Sequence, residues 1–109
     1  MNQRKFAEAE EVLQRALLIR QKSLRADHPD MAFSLHNLAL LRWGQSKLAD
    51  AEDLFRQALS IREAAFAPTN HDVITTLEDL AVLYDQQGKV AEAKSVRERL
   101  EEIRTLPSE

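Results

Sequence analysis

No cysteine occurs in the chain, and that absence removes disulfide scaffolds, thiolate nucleophiles and thiolate metal sites together. Glycine is scarce at 2 residues and proline at 3. So few turn-formers supply too few chain reversals for a β-sandwich or barrel, which leaves helices as the natural reading. Long apolar runs are missing as well: none approaches the roughly 18–20 residues that cross a bilayer. Met1–Glu11 is polar and charged, without the apolar stretch of a signal peptide. Nor is there an excess of positive charge. The formal net charge is −3, from 15 Lys and Arg against 18 Asp and Glu, and it exerts no pull toward phosphate backbones or anionic lipid. The expectation is a cytoplasmic chain that binds neither nucleic acid nor membrane.

What the 109 residues do contain is 44% hydrophobic and 30% charged. Ala, Leu, Glu, Arg and Gln abound, residues whose straight side chains lose little freedom in a helix. Their order is periodic. Lys5–Ser46 superimposes on Lys47–Gly88 without a gap, with 14 of 42 positions identical. Lys5, Lys47 and Lys89 head three units: KFAEAEEVLQRALLIR, KLADAEDLFRQALSIR and KVAEAKSVRERLEEIR. The third unit stops after its first helical pattern. Such a fixed period marks stacked supersecondary units that bury their apolar faces on one another.

Each unit carries two helical patterns. Phe6, Ala9, Leu13, Ala16 and Leu17 follow i, i+3, i+4 spacing, as do Leu48, Ala51, Phe55, Ala58 and Leu59. A second helix follows with Leu35, Leu38, Ala39 and Leu41, then with Leu77, Leu80, Ala81 and Leu83. Asp27-His28-Pro29-Asp30 is a helix start, with proline suited to the first position and Asp30 to the positive end of the dipole. In Thr69-Asn70-His71-Asp72, Asn70 is the expected N-cap. Short turns at Gly44-Gln45-Ser46 and Gln86-Gln87-Gly88 make consecutive helices antiparallel neighbours. Five helices are expected, at about 5–24, 30–44, 48–65, 72–86 and 90–104, with a frayed tail from Thr105 to Glu109. The predicted fold is all-α: antiparallel helix-turn-helix repeats stacked as a superhelix, about two and a half repeats in a single domain.

Several phrases resemble the tetratricopeptide repeat, in particular its 42-residue kinesin light chain type. They are Asp27-His28-Pro29-Asp30-Met31-Ala32, Ser34-Leu35-His36-Asn37-Leu38-Ala39-Leu40-Leu41, Lys47-Leu48-Ala49-Asp50-Ala51-Glu52 and Arg56-Gln57-Ala58-Leu59-Ser60-Ile61. The second copy keeps Leu80-Ala81-Val82-Leu83-Tyr84, Gln87-Gly88-Lys89 and Ala91-Glu92-Ala93. Tyr84 follows the family's tyrosine near the end of the first repeat helix, whereas Arg42 departs from it. The helix-start phrase is altered at Thr69-Asn70-His71-Asp72, and Trp43-Gly44 replaces residues that are usually polar.

The resemblance implies a concave groove lined by the first helix of each pair, here the second and fourth helices of the chain. The groove residues it implies are Phe33, His36, Asn37, Leu40 and Trp43 on one helix, and Thr75, Glu78, Asp79, Val82 and Gln86 on the next. Asn37 resembles the groove asparagine whose amide can hold a peptide backbone. The exposed apolar groups would suit an extended peptide with an apolar anchor, and Glu78, Asp79 and Asp85 would favour a basic flank. Each of these residues also has a plainer reading. Leu40 and Val82 have the character of packing residues, Trp43 of a cover over the helix turn, and the acids of a solvated face.

The ends differ. The first helix corresponds to the second helix of a repeat and lacks its own partner, so its apolar residues, Phe6 and Leu13 among them, are expected to form a self-association face. At the other end Arg97 and Glu101 replace Phe55 and Leu59, the polar surface of a capping helix. The chain therefore reads as a fragment of a longer array.

Catalytic and metal constellations are lacking. His28 and His36 stand about eight residues apart, roughly 12 Å along a helix axis, and His71 begins another helix, so the three do not converge on one ion. Glu78 and Asp79 are adjacent and point about 100° apart, which does not suit an acid–base pair. No phosphate loop, nucleophile elbow or His-Glu-x-x-His occurs. The expected function is non-catalytic, cofactor-free binding of a protein or peptide. The alternatives are self-association through the first helix and a regulatory segment of a larger enzyme or switch protein.

Overall fold

The computed structural model describes residues 3–23 and 28–107. Five α-helices follow one another: α1 (Gln3–Ser23), α2 (Pro29–Gly44), α3 (Leu48–Ala65), α4 (His71–Gln86) and α5 (Val90–Arg104). No strand occurs among the described residues. Residue 24 at the expected end of the first helix, Asp27 of the helix-start phrase and residues 108–109 of the expected tail lie outside the described residues.

The first helices of the two pairs begin in the same way with different chemistry. His28 sits in extended backbone and its Nδ1 accepts the Asp30 backbone N–H at 3.1 Å, with Pro29 taking the first helical position. Asn70, 42 positions on, has the same backbone, and its Oδ1 accepts the Asp72 N–H at 2.8 Å. The helix ends also match. The Lys47 N–H donates to the Arg42 carbonyl at 2.9 Å and the Ser46 N–H to the Trp43 carbonyl at 2.9 Å. Lys89 repeats the first bond to Tyr84 at 2.8 Å, and Gly88 the second to Asp85 at 3.1 Å. These are Schellman closures, which need a left-handed residue before the lysine. Ser46 supplies it at φ 63° and Gly88 at φ 74°. Only Gly88 does so without the cost of a Cβ in that region.

Each helix packs on the next, α1 on α2, α2 on α3, α3 on α4 and α4 on α5. The molecule measures 42 × 34 × 17 Å. The short dimension is less than two helix diameters of about 10–12 Å, so the stack is thin and elongated rather than centred on one core. Small residues set the spacing. Ala32, Ala39, Ala51 and Ala58 are fully buried, and the backbones close over them while larger neighbours fill the remaining space. Phe55 of α3 is the largest of those neighbours, also fully buried, among Ala39 of α2, Leu77 and Leu80 of α4 and Leu100 of α5. Ala32 and Leu35 of α2 with Ala58 of α3 form a second cluster, against which Leu17 of α1 packs.

Candidate functional site

The expected groove residues divide into three groups. Phe33, Asn37 and Leu40 form one stripe on α2, at i, i+4, i+7 spacing. Phe33 is 55% exposed and Leu40 44%, with Asn37 half-buried between them. Val82 of α4 is 45% exposed, and Thr75 and Asp79 of the same stripe are half-buried. Large apolar groups left this open on two successive first helices are what a docking surface requires. The Arg20 guanidinium of α1 lies over the Phe33 ring, 5.9 Å from its centroid, so the aromatic end of the stripe carries a cation.

His36, Trp43 and Gln86 are instead engaged in the seam between repeats. His36 meets the Phe55 ring edge-on at 5.1 Å and 74°, and Trp43 meets the same ring at 5.8 Å and 89°. Trp43 Nε1–H donates to Gln86 Oε1 at 2.5 Å. His36 Nε2 stands 3.5 Å from Asp79 Oδ2. Both contacts join position n to position n+43, one residue past its 42-residue equivalent, and they lie two turns apart along the helices. The α2-to-α4 seam is thus built from residues expected to face a ligand, because the helices approach closely enough there to use them.

A buried polar cluster lies behind this seam. Arg62 of α3, 5% exposed, donates through Nη1 to Thr76 Oγ1 at 2.7 Å and to His36 Nδ1 at 3.1 Å. The Thr76 hydroxyl in turn donates to the Asp72 carbonyl at 2.8 Å. Because Nδ1 accepts from arginine, Nε2 carries the imidazole proton and faces Asp79. Burial, then the Arg62 charge, pushes the His36 pKa down to about 4. Burial, with Glu78 adding to it and Arg62 opposing, raises the Asp79 carboxyl. Arg20 of α1 likewise donates to Ser34 of α2. This Arg-to-hydroxyl bond thus recurs at a period of 42 and fastens each second helix to the first helix of the next pair. Sequence reasoning passed over Arg20, Ser34, Arg62 and Thr76. The signal was present, in arginine at equal positions of the two units and a small hydroxyl at equal positions of the helices that follow.

Glu78 and Asp85 belong to neither group. They turn toward α5, where Arg104 stands 3.5 Å from Glu78 and Arg97 holds both Asp85 oxygens. The hydrogen bonds from Arg97 hold the Asp85 carboxyl below its ordinary pKa. A depression of about 370 Å³ opens here, lined by Glu78, Val82, Arg97, Leu100 and Arg104 among others. Of the three acids expected to favour a basic flank, Glu78 and Asp85 already hold arginines of α5, and Asp79 faces His36. Arg42, which stands where the family has tyrosine, is an ion-pair partner: its Nη1 lies 2.5 Å from Glu10 of α1 and donates to Gln45 at 3.2 Å. Tyr84, its counterpart in the next repeat, is buried with Lys89 5.9 Å from its ring.

Phe6 and Leu13, the expected self-association residues, are half-buried rather than free. The Phe6 ring approaches Gly44 so closely that a Cβ there would stand 3.0 Å from it. The apolar residues that α1 leaves open are Val12, Leu18 and Ile19. Period 3.6 found the apolar stripe but not which edge of it the neighbouring helix would cover. Among the described residues no helix is long and apolar enough to cross a membrane, and no three His, Asp or Glu side chains group as metal ligands.

Antiparallel helical hairpins stacked with a regular offset define an α-solenoid of helical repeats. The Tetratricopeptide repeat family model matches residues 1–64 and 44–105, and the chain belongs to that family. It is similar to two crystal structures of nearly identical TPR-like repeats assigned to a kinesin light chain of Podosopora anserina, one of them a single-substitution variant of the other. Each superposes with a TM-score of 0.81 at 29% identity, over 95% of this chain and 50% of the other. The chain therefore spans about half the length of those structures. No curated protein matches it. Tetratricopeptide repeats generally mediate protein–protein interaction, and the kinesin light chain-like kind is typically a non-catalytic scaffold.

Proposed function

We propose that the chain acts as one non-catalytic binding module whose partner is an extended peptide lying across α2 and α4. The observation that carries this reading is the exposure of Phe33, Leu40 and Val82 on adjacent first helices. Asn37 between the two α2 residues offers an amide that can both donate to and accept from a peptide backbone. An apolar peptide side chain fits between Phe33 and Leu40. A basic residue fits beside Asp79, whose contact in the protein is a neutral imidazole.

Selection from an unbiased displayed-peptide library, followed by titration calorimetry, tests it. Selected peptides should share an apolar anchor and lose affinity by about tenfold or more with Leu40→Asp or Asn37→Ala. Recovered peptides whose binding is indifferent to both substitutions would sink the groove reading.

A further inference from the structure

Resting on the peptide reading above, we infer that His36 is the positioning residue for Asp79, and that the two share a proton on which the groove's grip on a basic peptide side chain depends. His36, Arg62 and Asp79 stand where α2, α3 and α4 meet. Nδ1 of His36 is 3.1 Å from Arg62 Nη1, and Nε2 is 3.5 Å from Asp79 Oδ2. A guanidinium has donors and no acceptor, so Nδ1 accepts and the single ring proton sits on Nε2, toward the carboxylate. The ring is held in that sense from two sides. Its edge-on contact with Phe55 closes one of them. Behind it Arg62, 5% exposed, is fixed by the Thr76 hydroxyl at 2.7 Å, which itself donates to the Asp72 carbonyl at 2.8 Å. A chain of bonds thus runs from the backbone of α4 through α3 and α2 and returns to α4 at the groove carboxylate.

In acid a proton has two places to go, and both remove the same charge from the groove. On Asp79 it neutralises the carboxyl. On His36 it makes an imidazolium that pairs with Asp79 and competes with any outside cation. The pair therefore holds a ligand's ammonium or guanidinium only as neutral imidazole beside carboxylate. The surrounding charges are Arg62 from α3, Asp72 and Glu78 on α4 itself, and Arg104 of α5, 3.5 Å from Glu78. Burial, then Arg62, brings His36 down to about 4 against the pull of Asp72. Burial, then Glu78, raises Asp79 against the pull of Arg62. The two shifts bring carboxyl and imidazole toward one another, which is the condition for sharing a proton. Asn37 stands 42 positions before Asp79, so the first repeat has an amide where the second has this titrating acid.

The probes are two matched panels of end-blocked peptides free of Asp, Glu and His. Each peptide carries one fixed leucine and, at a varied second position, lysine in one panel and its neutral isostere norleucine in the other. Calorimetric titration into the full chain should show lysine preferred by about tenfold or more at pH 7. As pH is lowered toward 4 the preference should fall by up to about tenfold per pH unit, the slope of one proton, while circular dichroism shows the helices retained. Asp79→Asn should remove the preference. His36→Leu should weaken lysine peptides and spare norleucine peptides. His36→Gln, whose amide can accept from Arg62 and donate to Asp79, should restore most of what His36→Leu loses. In the free chain, NMR of the Asp79 carboxyl carbon and of the His36 ring should each report both titration steps. A lysine preference that ignores Asp79→Asn, or that persists unchanged to pH 4, would overturn this role for His36. So would an equal loss in both panels with His36→Leu, or separate titration of the two residues. Binding of neither panel would sink the peptide reading and this role with it, whereas equal binding of both would overturn the role alone.

Discussion

The seam between the two repeats and the outer face of α4 and α5 are the same surface translated by 42 positions, and they have opposite chemistry. In the seam, the rings of His36 and Trp43 of α2 both meet Phe55 in T-shaped contacts, and Arg62 reaches back to His36. On the outer face the corresponding residues are Glu78, Asp85, Arg97 and Arg104, joined as Arg97–Asp85 and Arg104–Glu78. The residue pairs touch in both places, so the backbone register is common. One set is an aromatic wedge that excludes water, and the other is a pair of solvated ion pairs that already satisfy one another. A helical repeat can thus hold its geometry while its edge changes from a joint to a finished surface.

The comparison is broken most severely at Phe55. Phe55→Ala removes a fully buried ring from the junction of four helices and should cost about 3–5 kcal/mol in denaturant unfolding. Arg97→Ala at the equivalent position should leave the unfolding midpoint unchanged, because that arginine is half-exposed and its ion pair is screened by solvent. Equal losses at the two sites would contradict the contrast.

Acid sharpens it next. His36 has a folded pKa of about 4 against an ordinary 6.5, so the unfolded chain binds its proton first. The stability linked to keeping this imidazole neutral is present above pH 6.5 and lost as pH falls through 4. The loss is on the order of 2–3 kcal/mol. Asp79 acts with the opposite sign, since its raised pKa favours the folded state as pH falls, and it offsets part of the loss. Chemical denaturation at pH 7, 5.5 and 4 should show the decline, and His36→Gln should flatten it. An unchanged slope in that variant would assign the effect elsewhere.

Thr76→Val keeps the shape of the buried hydroxyl while depriving Arg62 of an acceptor 2.7 Å away. It should cost about 1–3 kcal/mol, read as a lower denaturant midpoint at constant slope. The smallest effects lie in the turns. Ser46→Gly should stabilise by up to about 1 kcal/mol, since serine there holds φ 63°, and Gly88→Ala should destabilise by a similar amount. Thermal melts of the two single variants, moving in opposite directions, would confirm that the turns are equivalent.

Much of this architecture is legible in the amino-acid order alone. The ungapped match of Lys5–Ser46 to Lys47–Gly88 requires a repeated hairpin, and alanine at positions 9, 51 and 93 requires close helix contact at one recurring place. The surface was less legible, for a definite reason. Periodicity states that Phe33, His36, Asn37, Leu40 and Trp43 share one side of a helix about 100° or more wide. It does not state where within that arc the neighbouring helix sits. The structure draws that line between Asn37 and His36, and between Asp79 and Glu78. Adjacent residues then acquire different tasks: Asn37 and Leu40 stay open, His36 and Trp43 enter the seam, and Glu78 turns away to Arg104. The same ambiguity placed self-association on Phe6 and Leu13, when the uncovered edge of α1 carries Val12, Leu18 and Ile19.

By itself the sequence determined the helices, their antiparallel order, the 42-residue offset and the family, because these depend on local spacing, capping and turn chemistry that each segment carries with it. Only the tertiary structure decided which member of an amphipathic stripe is buried and that Arg62 joins His36 to Thr76 across three helices. It likewise decided that Glu78 and Asp85 pair with arginines of α5 while Asp79 faces His36. Those outcomes depend on the angle and distance between helices far apart in the chain, which emerge only when the packed side chains have settled their common volume.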